Sequence, residues 1–330
     1  MDAAATKSLR EIAAEVLARE DVACLIGYEQ GSYGFRVTPC VLTSADDVDR
    51  LVLSPLCVHN LTTYLTLEQI GPLQRKRLLK NGGKIAVVVK GCDSRALAVL
   101  LAENGIRRED VVIIGVPSQG VVDIKKIEQR FPGVVAPATV ELRDASFIVT
   151  CESGTTAVPK DELLNAKCRR CALSVPVLYD MLVSGTADKR HGDTFEDVAA
   201  WERMSLEERA ARWQAELSKC IRCYACRNAC PLCYCSDCVL DRLQPQFIRR
   251  SVSFPENLHF HITRAFHLAG RCIDCGECER VCPQNIPLME LNRKFARDVR
   301  DLFDYTAGMD PSAKPLFATF KPEDPDEGIL

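Results

Sequence analysis

Nowhere does the 330-residue chain run for the roughly 20 uninterrupted apolar residues that a membrane-spanning helix needs, so no span is expected. An excess of one charge is also missing. With 42 Lys and Arg against 45 Asp and Glu the formal net charge is −3, which gives no nucleic-acid footprint. There is no Ser-His-Asp arrangement, no Walker motif and no Gly-x-Gly-x-x-Gly fingerprint. Histidine is scarce at five residues, and the one close pair, His259-Phe-His261, is explained as well by a helical boundary as by ligation. Residues 1–20 lack the apolar core of an export signal: the alanines after Met1 are followed by Lys7, Arg10, Glu11 and Glu15, the pattern of an amphipathic helix. The reducing cytoplasm is the expected home.

Cysteine is what the chain has in quantity, 18 residues of it. Such a count means disulfides in a small secreted chain, whereas here most of the cysteines cluster at metal spacing. One spacing occurs twice. Cys220, Cys223, Cys226 and Cys230 precede Pro231, and Cys272, Cys275, Cys278 and Cys282 precede Pro283. Both runs are C-x2-C-x2-C-x3-C-P, which holds 4Fe-4S cubanes in bacterial-type ferredoxins, the fourth cysteine ligating the other cluster. That crossing predicts Cys220, Cys223, Cys226 and Cys282 on one cluster, with Cys272, Cys275, Cys278 and Cys230 on the second. Structural zinc also takes four cysteines from paired C-x2-C units and is the alternative, although it rarely uses this triple spacing.

The length suits two domains. In the first, Val22–Tyr28 and Gly34–Thr38 read as a strand pair around a turn. Lys84–Val89 and Asp110–Val116 read as buried strands, followed by helices over Ser94–Glu103 and Asp123–Arg130. This β-α-β-α order with near-continuous Val and Ile predicts a mainly parallel sheet with flanking helices. Phe147–Thr150 reads as an edge strand. The expected organisation is an α/β domain over 1–185, a helical connector over 186–217, a two-cluster ferredoxin-like α+β domain over 218–306 and an extended tail over 307–330. Helices are expected over Asn257–Gly270 and from Pro287 to about Phe303, while the acidic, proline-rich Pro311–Leu330 reads as extended or disordered when alone.

Five further thiols fall into two groups, Cys168 with Cys171, and Cys233, Cys235 and Cys238. Two C-x2-C hairpins are the simplest way to complete a tetrahedron, so Cys168, Cys171, Cys235 and Cys238 are the expected ligands of a third cubane, leaving Cys233 spare. Packing cysteines beside the clusters, or a structural zinc, are the alternatives. Cys24, Cys40 and Cys151 read as buried small hydrophobes. Lys90-Gly91-Cys92-Asp93 lies at the carboxyl end of a predicted parallel strand and opens a helix, a place where open α/β sheets bind anionic ligands. Asp93 or Ser94 serves equally as a helix cap.

Taken together, these residues resemble the β subunits of the deazaflavin-linked formate dehydrogenases of methanogens, within the wider family of deazaflavin-reducing hydrogenase and dehydrogenase β subunits. The resemblance runs through Lys90–Asp93, the strand ending at Ile114, Cys168-Arg-Arg-Cys171 and Tyr179-Asp180. It is densest over Arg222–Cys238 and Cys272–Pro287, continues into Gly308-Met-Asp310 and Pro315-Leu-Phe317, and covers about residues 50–320. It implies a subunit that takes electrons from a formate dehydrogenase-like catalytic α subunit and passes them through clusters to a flavin, or to heterodisulfide-reductase-type subunits. The chain departs from the family where the flavin is held. No glycine-rich stretch stands near the amino terminus, Val183-Ser-Gly-Thr-Ala replaces a Gly-Asn-Trp-Gly-like segment, and Pro117-Ser118 replaces a cysteine loop. The expectation is therefore a cluster-bearing electron relay without FAD. The alternative is an FAD-containing subunit that itself reduces a deazaflavin, with Lys90, Gly91, Cys92 and Asp93 as the flavin contacts.

Overall fold

The computed structural model describes residues 3–66, 83–187, 192–319 and 322. By its contacts the chain divides into two units, one of residues 1–94 and 106–193, the other of residues 95–105 and 194–330. The division falls inside a helix that begins after the first buried strand, at Ser94, so a stretch of sequence within the α/β half counts with the second unit.

The first unit begins with α1 (Ala3–Leu17), whose Leu9, Ala13 and Val16 recur at i, i+4 and i+7 and are buried, the amphipathic pattern expected of it. Strands β1 (Val22–Gln30), β2 (Val37–Leu42), β3 (Lys84–Val89) and β4 (Val111–Gly115) follow, with α2 (Gly91–Ala102) and α3 (Ile124–Arg130) after β3 and β4. Three further strands are β5 (Thr139–Arg143), β6 (Ser146–Cys151) and β7 (Gly154–Pro159), and a last short one is β8 (Met181–Leu182). The larger sheet runs β2-β1-β3-β4-β8. Only the β1–β2 pair is antiparallel, so the sheet is mainly parallel, with Val87 opposite Ile26 on one side and Ile113 on the other. β4 is buried throughout and β3 after its first residue, which is why both read as unbroken Val and Ile rather than alternating. Asp123 caps α3 by accepting from the Lys125 and Lys126 amides.

Phe147–Thr150 is not an edge strand of that sheet. It lies in β6, the middle strand of a separate antiparallel sheet ordered β5-β6-β7. A tight turn through Asp144 (φ 52°) and another closing at Gly154 (φ 114°) fold the three strands back on one another. Cys151, expected to be buried, ends β6 half-exposed and lies 3.2 Å from the Ser153 hydroxyl, because the turn carries it out of the sheet's covered face. Cys24 and Cys40 are buried as expected.

All eight strands of the described residues lie in the first unit. The described part of the second is helical: α4 (Glu196–Glu202), α5 (Leu206–Ser218), α6 (Phe254–His267) and α7 (Leu288–Phe303), with single helical turns between them. Ser205 and Glu208 close α5 with a reciprocal capping box, the S-x-x-E signature at its start. Trp201 of α4 meets Trp213 of α5 edge to face at 6.5 Å. The core that gathers these helices is partly sulfur: Leu217, Leu240, Ile248, Phe260 and Met289 are buried with Cys220, Cys226, Cys278 and Cys282. The start of the tail is not extended. A turn over Leu316–Ala318 places Phe317 6.0 Å from the Phe303 ring, edge to face, although Phe317 stays exposed. Residues 320, 321 and 323–330 of the expected tail lie outside the described residues.

Candidate metal centres

The two cysteine motifs fold into the same loop twice. In each, the residues flanking the second cysteine take a left-handed backbone: Arg222 (φ 55°) and Tyr224 (φ 60°) in the first, Asp274 (φ 55°) and Gly276 (φ 70°) in the second. That conformation costs an ordinary residue roughly 1–2 kcal/mol. A matched pair of such residues marks strain held at a working site. The bend aims amides at sulfur. The Arg222 N–H donates to Cys220 Sγ at 3.4 Å, and the Asp274 N–H donates to the Cys272 thiol. The third cysteine of each motif then sits in a single helical turn, Ala225–Asn228 or Glu277–Arg280.

The thiols of the two motifs lie within electrostatic reach of one another. Cys220 lies within electrostatic reach of Cys282 and Cys223, and Cys226 within reach of Cys220, Cys282 and Cys223. Cys278 senses Cys230, Cys272 and also Cys226 of the first motif, and Cys272 senses Cys230. Cys282 thus lies near Cys220 and Cys226 of the first motif, and Cys230 near Cys272 and Cys278 of the second. Burial pushes Cys226 and Cys272 up to about 11 and Cys278 higher still, so an unliganded thiol here keeps its proton and a bound cation would have to displace it. Cys230 is the exception: a hydrogen bond from Cys233 draws it down to about 6. Among the described residues, no three His, Cys, Asp or Glu side chains converge on a single-ion site.

Two helices bring polar groups to the sulfurs. From α6, Asn257 donates to the carbonyls of Leu217 and Cys220 at 3.0 and 2.9 Å, and His261 Nε2 lies 3.3 Å from Cys220 Sγ. Burial, then the cations of Arg264 and Arg222, lower His261 to about 3, which leaves the imidazole neutral. From α7, Asn292 Nδ2 approaches Cys278 Sγ at 3.6 Å and Met289 Sδ lies 3.4 Å from it. Two buried guanidinium nitrogens, Arg222 Nε and Arg264 Nε, find no hydrogen-bond partner among the described residues. Eight thiols ringed by amide donors and unspent cationic N–H groups fit an anionic, sulfur-rich group such as an iron–sulfur cluster. The sequence signal for this stripe was Asn257, His261 and Arg264 at i, i+4 and i+7, three polar residues on the face an amphipathic helix buries. His261 is mid-helix and buried, not at a boundary, and His259 is exposed.

The second loop is also gripped from behind. Arg293 of α7, 1% exposed, reaches Asp274 at 2.5 Å and Asp197 of α4 at 2.6 Å through both carboxylate oxygens, and lies 4.7 Å from the Phe195 ring.

Cys168 and Cys171 belong to the first unit, Cys233, Cys235 and Cys238 to the second. Cys168 is buried and accepts the Val121 N–H at 3.4 Å; Cys171 exchanges hydrogen bonds with Leu173 and senses Cys92. Cys235 is exposed and Cys238 half-buried.

At Lys90–Asp93 the polar groups are already engaged with one another. The Lys90 ammonium, 6% exposed, pairs with Asp93 at 2.8 Å, donates to the His59 carbonyl at 2.8 Å and to the Tyr28 hydroxyl, and lies 4.7 Å from the Tyr28 ring. Burial works against that charge, yet its pKa is raised because Asp93 outweighs it. Asp93 also takes the Lys90 N–H at 3.0 Å. A Cβ on Gly91 would meet Leu173 at 3.1 Å, so the backbone there is approached by the chain itself. The neighbouring cavity, between Tyr28, Cys57, Lys90, Ser118 and Gly185, holds about 100 Å³. Ligand pockets run to roughly 300–1,000 Å³. The Lys90 and Asp93 side chains that the sequence offers to a flavin are thus engaged with one another.

Comparison with known proteins agrees with the cysteine geometry. Residues 219–287 match the family described as "4Fe-4S dicluster domain". The chain is 28% identical over 294 residues to the F420-dependent formate dehydrogenase subunit beta of Methanocaldococcus jannaschii, covering 71% of this chain and 76% of that one. It is 26% identical over 351 residues to the F420-dependent formate dehydrogenase 1 subunit beta of Methanococcus maripaludis, covering 88% and 87%. The chain is an iron–sulfur electron-transfer protein homologous to these β subunits. The solved F420-reducing NiFe hydrogenase complex of Methanosarcina barkeri contains a chain that matches at 17% identity and a TM-score of 0.41, over 61% of this chain and 76% of that one, a likeness too loose to define a fold. No helix among the described residues is long and apolar enough to cross a membrane.

Proposed function

We propose that the chain is the cluster-bearing relay subunit of a formate dehydrogenase-like complex, taking electrons from a catalytic α subunit and handing them to a downstream acceptor such as a heterodisulfide-reductase-type subunit. The observation that carries this reading is the loop built twice, each copy with an amide aimed at its first sulfur. On this reading Cys220, Cys223, Cys226 and Cys282 hold one 4Fe-4S cluster, and Cys272, Cys275, Cys278 and Cys230 hold the other. Bound clusters supply one-electron transfer; the residues around them hold the thiolates, shed water and set the local charge. Cys223 is exposed whereas Cys275 is buried, so the first centre offers an edge to a partner. From their spacing, Cys168, Cys171, Cys235 and Cys238 are proposed as ligands of a third cubane. A reducing compartment, the cytoplasm, suits unprotected cluster thiols.

The relatives' printed dependence on F420 favours a second reading, in which the chain binds FAD and itself reduces a deazaflavin. The self-contained Lys90–Asp93 pair and the small cavity beside it support the relay instead. Anaerobic purification followed by acid denaturation separates the two. Broad cluster absorbance with no released flavin is the expected result. Stoichiometric FAD in a preparation that reduces a deazaflavin would overturn the relay reading.

A further inference from the structure

The segment from Pro231 to Arg271 separates the two cysteine motifs, and α6 is its main element. One face of that helix is polar yet buried, with Asn257, His261 and Arg264 on successive turns. Asn257 and His261 both reach Cys220, Asn257 holding the Leu217 carbonyl as well. The Arg264 side chain is 3% exposed, its Nη2 donates to the Cys226 carbonyl at 3.1 Å, and its Nε has no partner among the described residues. No carboxylate answers it in any ion pair of the described residues; the groups that hold its charge against burial are Cys233, Cys278, Cys230 and Cys226. On the ligation proposed above Cys226 belongs to one centre and Cys278 and Cys230 to the other, and the helical turns that carry Cys226 and Cys278 pack against each other. A guanidinium stays charged at any pH a protein survives, and a buried one needs a negative partner.

We propose that Arg264 is a shared counter-ion of the two iron–sulfur centres, a positioning residue whose fixed charge favours the reduced form of both. This rests on the cluster reading above. Reduction by one electron adds one negative charge and moves no proton at Arg264, so the guanidinium stabilises the product more than the reactant, at each centre alike. Placing the cation on a helix threaded between the motifs gives the long segment a task that ligation alone does not require.

The test is a potentiometric titration of the anaerobically purified full chain with dithionite, followed by EPR, in three proteins: wild type, Arg264→Lys and Arg264→Gln. Loss of the charge should lower both midpoint potentials, each by about tenfold in the one-electron reduction equilibrium, or about 59 mV. Lysine should leave both near wild type. Unmoved potentials in the glutamine variant, or movement of only one, would overturn the proposal. If glutamine loses its clusters, lysine with full iron supports the charge, and lysine that loses them too assigns Arg264 to packing and sinks it. Wild type without iron would instead sink the cluster reading.

Discussion

Arg293 holds Asp274 at 2.5 Å, and Asp274 is one of the left-handed residues that shape the second cysteine loop. The same guanidinium grips Asp197, so a single buried cation ties α4, α7 and the loop together. Removing one partner of a buried pair costs about 3–5 kcal/mol because the other charge is left uncompensated. Arg293→Ala should therefore lower the melting temperature sharply and strip iron first from the centre of Cys272, Cys275 and Cys278. Asp197 is 35% exposed, and Asp197→Asn should cost only about 1 kcal/mol or less. Thermal melts and iron analysis of the two variants check the ranking.

Crossed ligation has its own signature. Cys282→Ser should alter the same EPR signal as Cys223→Ser, and Cys230→Ser the same one as Cys275→Ser. Signals that group Cys282 with Cys275 instead would show each motif closing its own cluster.

Iron content bears on the third centre. Three cubanes require about twelve irons per chain and two require about eight. We expect the higher figure, reduced by about four in Cys171→Ser. Eight irons in wild type, unchanged in the variant, would return Cys168, Cys171, Cys235 and Cys238 to a packing role.

Lys90→Met should destabilise the chain whether or not any flavin is present. It leaves the fully buried Asp93 carboxylate without its cation, a loss of about 3–5 kcal/mol. Chemical denaturation should show that loss together with an unchanged cluster spectrum. A stable variant with altered flavin content would instead mark Lys90 as a ligand-binding residue.

Spacing made the cluster loops legible, because four thiolates on a cubane tolerate few arrangements and the chain presents one of them twice. The parallel strands were legible for a related reason: β3 and β4 are covered on both faces, and their buried positions are filled by Val, Ile, Ala and one Gly. β6 was misplaced because its partner β7 is Gly-Thr-Thr-Ala-Val-Pro, almost wholly exposed, with no apolar run to announce a strand. Asn257 and Arg264 escaped notice, and His261 read as a boundary residue, since polar residues on a helix normally face water. Only the thiols across from them, brought close by folding from distant positions, make their burial sensible. Lys90 showed its charge in the sequence but not that Tyr28, His59 and Asp93 would absorb it.

The repeated loop leaves one difference exposed. Where the first copy carries Arg222 the second carries Asp274, at the same backbone angle and beside the same cysteine. Burial raises the thiols of Cys220 and Cys272 alike; Arg222 then opposes the rise at Cys220, while the charge of Asp274 adds to it at Cys272, with Arg293 offsetting part. The two copies of the loop thus differ in the charge set beside their first cysteine. A cluster held by these loops would meet a cation beside the first sulfur of one and a carboxylate beside the first sulfur of the other, so two copies of one loop need not accept an electron equally readily.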